Sequence, residues 1–149
     1  MTYTSRIPVE PSYLEAVGRA FYNFVYLEWV VVWTIVKLNS NGFGSVPKGK
    51  SASYIAKALI KAINTTVPPL PKFLRIKLVK FHESYGLAIK TRNKLLHAHP
   101  YTAQGGLQRL RSGPMDWPVE AVYDAARQFE DAAIAGNSLF HGELNKVRP

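Results

Sequence analysis

Six consecutive residues, Arg92-Asn93-Lys94-Leu95-Leu96-His97, set a guanidinium and an imidazole five positions apart at the end of an apolar helical stripe. Arginine keeps its charge at any working pH and offers a rigid fork of donors suited to a phosphate or a developing oxyanion. Histidine is the side chain whose ordinary pKa lets it move protons near neutrality. Together they are the parts of a metal-free phosphoryl transfer: a proton-transfer group, and a cation for the charge that builds up in the transition state. On a regular helix Asn93 and His97 share a face, whereas Arg92 and His97 lie roughly 140° apart. Two-fold pairing of copies, or a break in the helix before Pro100, would bring both groups into one cleft.

The elements that must position this segment are helices. Ser12-Tyr13-Leu14-Glu15 spells a capping box after Pro11 and predicts the first helix start there. From it, Leu14, Val17, Phe21, Phe24, Val31, Ile35 and Leu38 recur at three- and four-residue spacing on one stripe. A second line through Tyr22, Val25, Trp29, Val32 and Val36 makes the far half apolar nearly all round, which predicts burial on two sides, at a bundle centre or a dimer contact. Asn39 to Lys50 reads as a loop, and Ser51 as the cap of a second helix that Pro68, Pro69 and Pro71 terminate. A third helix is expected from about Lys72 to about Ala98, stopped by Pro100, with Leu74, Leu78, Phe81, Tyr85, Ala88 and Leu95 on one face. Thr102 to Gly113 reads as a loop or short hairpin, and Asp116 with Pro118 opens a fourth helix. The expectation is one all-α domain over residues 1–149, a four- to five-helix up-down bundle.

Two charges break these stripes: Glu28 occupies the position between Phe24 and Val31, and Arg92 the position between Ala88 and Leu95. A charge in a helix seam is unfavourable unless paired, so Glu28 and Arg92 are expected close together in the interior or in a cleft, as a structural ion pair or as part of a site.

The Arg92 to His97 segment resembles the Arg-x4-His motif of the HEPN superfamily, including the polar Asn directly after the Arg, and the long aromatic first helix with its embedded Glu extends the likeness loosely along the chain. The resemblance implies a HEPN-like helical bundle and a metal-independent endoribonuclease that works as a homodimer on RNA, cleaving through attack of the neighbouring 2′-hydroxyl. Carried over by position, Arg92 and His97 are the catalytic pair, Asn93 an orienting residue and Glu28 the acidic residue of the first helix. A toxin or phage-defence role with a cognate antitoxin is what such a resemblance implies; the alternative is a catalytically silent member that binds RNA or protein. HEPN toxins silenced by nucleotide transfer onto a Tyr carry it two residues after the His, where this chain has His99 and its nearest tyrosine is Tyr101.

Nineteen Lys and Arg against ten Asp and Glu give a formal charge of +9, which attracts polyanions. Lys94, His99, Arg109 and Arg111 are the candidates for holding RNA. The absence of cysteine removes thiolate zinc sites, and His97-Ala98-His99, with His82 and His141 far off, makes a poor metal grip, so no metal or cofactor is expected. The start of the chain lacks the apolar core of a signal peptide, and Ala20 to Val36 is interrupted by Asn23 and Glu28, so a cytoplasmic protein with no membrane association is expected. A third reading comes from Gly44-Ser45-Val46-Pro47-Lys48-Gly49-Lys50-Ser51, which satisfies the spelling of a phosphate-binding P-loop and requires Val30 to Val36 to be a strand. Against it, no later acidic residue follows a strand-like run that could hold magnesium.

Overall fold

The computed structural model describes residues 3–149. Four helices carry the fold: α1 (Pro11–Leu38), α2 (Ala52–Thr65), α3 (Lys72–Leu96) and α4 (Val119–Leu139). The all-α expectation holds for these and fails between α3 and α4. There a three-stranded antiparallel sheet forms, of β1 (His99–Thr102), β2 (Gln108–Ser112) and β3 (Met115–Trp117), in the order β1-β2-β3. Gly105 and Gly106, with φ of 84° and 81°, turn the chain from β1 to β2, and Gly113, with φ of 56°, turns it from β2 to β3. These are left-handed angles that glycine adopts without steric penalty. A π-helical turn, Phe140–Leu144, and a last helical turn, Asn145–Val147, complete the chain.

Contacts along α1 fix the helix directions. Tyr13 meets Trp117 just before α4, Asn23 donates to the Ala126 carbonyl at 3.0 Å, and Lys37 reaches Asn145 past the end of α4. Helices α1 and α4 therefore run parallel, and the sheet joins the end of α3 to the start of α4 at the end of the bundle where α1 begins. Helix α3 runs the other way, bringing Arg92 back beside Phe24. This parallel pair departs from a strict up-down arrangement.

The core is one apolar cluster with contributions from all four helices. Leu27, Val31 and Ile35 of α1, Leu59 of α2, Leu74 and Leu78 of α3, and Val122 and Phe129 of α4 are buried. Two predicted core residues are not inside: Leu14 and Phe21 are exposed, the latter at 64%. Along the second apolar line Tyr22, Val25 and Trp29 are exposed on the single chain, as are their neighbours Tyr26 and Trp33, while Val32 is buried, so the bundle-centre placement fails for those three. Helix α1 is therefore buried on one side and bears an aromatic stripe on the other. By length and composition it could cross a membrane, with mean hydropathy 1.3 over its most apolar window, of which 44% is buried within the fold.

Three helix starts differ from expectation in detail. Pro11 itself is the first residue of α1, so Ser12 lies inside the helix and makes no cap; Glu10 precedes it and turns its carboxylate to Arg109 instead. Ser51 does precede α2, but its hydroxyl bonds the Ser53 hydroxyl rather than capping. Asp116 belongs to β3, and Pro118 leads directly into α4.

Candidate functional site

The site region is assembled where the start of α1, the end of α3 and the sheet meet. Tyr13, buried on α1, accepts the Leu110 amide proton at 3.1 Å and donates to the Trp117 carbonyl at 2.7 Å, bridging two residues that are partners across β2 and β3. Burial raises the Tyr13 phenol pKa above its ordinary value, which keeps it a donor. The Trp117 indole donates to Ser112 at 2.9 Å, and the Ser112 hydroxyl donates to the Lys94 carbonyl in the last turn of α3. A carbonyl there has no intrahelical donor, so the sheet supplies one and holds the helix end in place.

Helix α3 stops at Leu96, and His97 leaves it with φ −90° and ψ 5°. The chain break anticipated before Pro100 is thus present, one residue before His97 and two earlier than the predicted end at Ala98. His97 is exposed and flanked by Leu96 and Ala98, and both of these line a groove of about 470 Å³ with Leu14, Val17 and Phe21 of α1. Arg92 reaches the same groove. It is half-buried, its guanidinium lies 4.7 Å from the centre of the Phe24 ring, and Nη1 donates to the Asn93 side chain at 2.9 Å. Among the described residues Arg92 has no carboxylate partner and no hydrogen bond to His97.

Glu28 and Arg92 do converge, though not as an ion pair. Glu28 accepts the Tyr85 hydroxyl at 2.8 Å, and Tyr85 stacks on the same Phe24 ring that carries Arg92, with centroids 6.2 Å apart. Desolvation first, then the neighbouring Glu28 carboxylate, raise the Tyr85 phenol pKa far above its ordinary value; Arg92 acts in the opposite direction. The expected pairing of two opposite charges is thus replaced by an ordered set of carboxylate, phenol, phenyl ring and guanidinium. Sequence spacing signalled the intruding charges, and nothing in it signalled Tyr85, which reads as an ordinary core position.

Of the residues expected to hold RNA, two are already engaged. Arg109 lies 4.7 Å over the Tyr13 ring and forms a two-pronged ion pair with Glu10, at 2.6 and 3.1 Å. The Arg109 hydrogen bond lowers the Glu10 pKa below the usual carboxylate range. Arg111 lies 4.0 Å over Tyr101 and pairs with Asp116 at 2.6 Å, lowering that carboxyl likewise. Arg111 holds the three strands together, and Arg109 ties the sheet to the start of α1. Lys94 and His99 are exposed, the latter on β1 opposite Arg111. The described residues contain no group of three His, Asp or Glu placed to hold a metal ion.

The P-loop reading loses its scaffold. Val30 to Val36 is helical, inside α1, and Gly42–Ser45 is a short 3-10 turn, so the Gly44 to Ser51 stretch joins two helices and follows no strand. Compared with known proteins, the chain matches no family model, no curated protein and no solved structure.

Proposed function

We propose that this protein is a HEPN-like, metal-independent endoribonuclease whose site forms between two copies of the chain, with Arg92 and His97 as its catalytic pair. The observation that carries the reading is Arg92: a half-buried guanidinium with no carboxylate partner among the described residues, held by Phe24 and Asn93 and lining a groove to which Leu96 and Ala98, the chain neighbours of His97, also belong. A structural arginine in a seam is expected to be neutralised by an acid. This one is oriented and left available for an anion.

In the proposed reaction the 2′-hydroxyl attacks the adjacent phosphorus, His97 exchanges protons with the attacking and leaving oxygens, and Arg92 stabilises the phosphorane charge. Asn93 orients Arg92, and Glu28 acts one step removed, through Tyr85 and Phe24. One copy shows no hydrogen bond between Arg92 and His97 among the described residues, and the exposed apolar rim of Leu14, Phe21 and Leu96 provides the surface on which a second copy brings two motifs together. A cytoplasmic toxin or defence role with a cognate antitoxin belongs to the same proposal.

The test is incubation of purified protein with structured RNA in EDTA, comparing wild type with His97→Ala. Cleavage that disappears in the variant supports the reading; absence of cleavage in wild type, or equal cleavage in both, overturns it. The apolar lining of the groove around Arg92 favours one second reading, a silent member that binds RNA or protein. In that case His97→Ala leaves binding intact and neither protein cuts.

A further inference from the structure

The fold separates charge far more strongly than the net value suggests. Between Lys37 and His97 the chain carries twelve Lys and Arg and a single acid, Glu83, whereas Gly113 to Leu144 carries six acids and one Arg. The first group belongs mainly to α2 and α3, the second to β3, α4 and the turn after it. The ion pairs among the described residues use Arg19, Lys77, Arg109, Arg111 and Arg127; none of them engages a cation of α2.

On α2, Tyr54, Lys57 and Lys61 follow one another at three- and four-residue spacing on the exposed face. Lys57 and Lys61 are about 6 Å apart along the axis at 1.5 Å per residue. The Tyr54 ring, 51% exposed, has two ammonium groups near it, Lys50 at 5.6 Å and Lys57 at 5.3 Å from its centre. Across the α2 to α3 contact, Arg75 is tethered by one nitrogen to Asn64 at 2.8 Å, and its other donors have no partner among the described residues. Farther along α3, past the ion-paired Lys77 and the acid Glu83, Lys90 and Lys94 are exposed and make no ion pair among the described residues, Lys94 lying three residues short of His97.

We infer that the exposed face of α2, with Tyr54, Lys57 and Lys61 at its centre and Arg75 beside it, is a binding track for single-stranded RNA, separate from the Arg92 groove. The lysines and Arg75 take phosphates, and Tyr54 takes an unstacked base. A cation row with an aromatic face set among its ammonium groups fits a strand in which phosphates and bases alternate. An anionic membrane would need only the charge. The acids of α4 repel a polyanion from the opposite side, so the strand is confined to the α2 and α3 layer and led toward His97. The identity of the polyanion as RNA rests on the proposed function; the location of the track rests on the charge distribution.

The experiment measures fluorescence anisotropy of a labelled single-stranded RNA over a range of salt concentrations. It compares wild type, Lys57→Gln/Lys61→Gln, Tyr54→Ala, and the control Arg127→Gln/Lys146→Gln, which lowers net charge by the same two units. Each neutralised phosphate contributes about 0.7 to the slope of log K against log salt for single strands, so the α2 double variant should lower the slope by about 1.4. The control should lie close to wild type, and Tyr54→Ala should bind about 5-fold or more weakly. All four substituted side chains of the double variants are exposed or lie on the surface, and thermal melting checks that folding is kept. Equal slopes for the α2 variant and the control, no RNA binding by wild type, or binding only to phosphatidylserine vesicles would each overturn the track. Binding through α2 without cleavage would instead sink the nuclease and leave the track standing, while cleavage with an unaltered α2 variant would do the reverse.

Discussion

Replacing Tyr85 with Phe tests the ordered set behind Arg92 with a change of one oxygen atom. Tyr85 is fully buried at 0% exposure, and its ring packs on Phe24, so Phe keeps the packing and removes only the donor to Glu28. A hydrogen bond to a charged acceptor contributes roughly 1.5–3 kcal/mol. Glu28 is half-buried and water reaches it in part, which selects the lower end. A loss of about 1.5 kcal/mol corresponds to a fall in Tm of about 3–6 °C for a domain of this size. Pairing Tyr85→Phe with Glu28→Gln in a double-mutant cycle isolates the bond, with an expected coupling of about 1 kcal/mol. The pH dependence gives an independent readout. Because the folded protein raises the phenol pKa, the neutral form is favoured, so this contribution is complete below the ordinary value of 10.0 and declines as pH rises above it. Wild type should therefore lose stability above about pH 10 more steeply than Tyr85→Phe. Additive single effects together with parallel alkaline profiles would refute the argument, because the phenol would then be neither bonded to Glu28 nor held neutral by it.

Other perturbations follow from the packing and the sheet. A Cβ at Gly136 would collide with the buried Phe81 ring, so Gly136→Ala should destabilise by about 1–3 kcal/mol in urea titration despite its better helix propensity; an unchanged midpoint would show that α3 and α4 are not this close. The Glu10 carboxyl is held below its ordinary 4.5 by Arg109, so its contribution is complete above that value and fades as pH falls through the lowered one. Glu10→Gln should flatten the acid side of the stability profile as pH falls below about 4.5, and an identical profile would argue against the pair. Phe21→Asp places a charge on the exposed rim and should weaken self-association by an order of magnitude or more in light scattering while leaving Tm near wild type, whereas a persistent dimer would move the contact elsewhere.

The four helices and their stops were readable because proline and apolar periodicity act locally. Pro68 to Pro71 and Pro100 end their helices for reasons contained within a few residues. The intrusion of Glu28 and Arg92 into two stripes was readable too, and the fold brings both to one aromatic group. Leu14 and Phe21 misled because periodicity identifies an apolar face without saying what covers it. Arg109 misled because its partner Glu10 is 99 residues away, and no local spelling connects them. The sheet was only half legible, as a loop or hairpin: its strands are three to five residues long, lack a clean alternation, and depend on a Tyr13 hydroxyl from the opposite end of the sequence.

That hydroxyl has a bearing on how the protein is made. Its two partners lie 97 and 104 residues further along the chain. At translation speeds of about 5–20 residues per second, the wait between synthesis of Tyr13 and of Trp117 is on the order of 5–20 s. Throughout that interval the nascent first helix has neither β3 nor α4 to lie against, and its apolar sides are open to any chaperone at the ribosome exit. The segment from Arg92 to His97 waits a shorter time, on the order of 1–4 s, for the 18 residues that separate Lys94 from its anchor Ser112, so whatever chemistry it performs begins only after the sheet has been made.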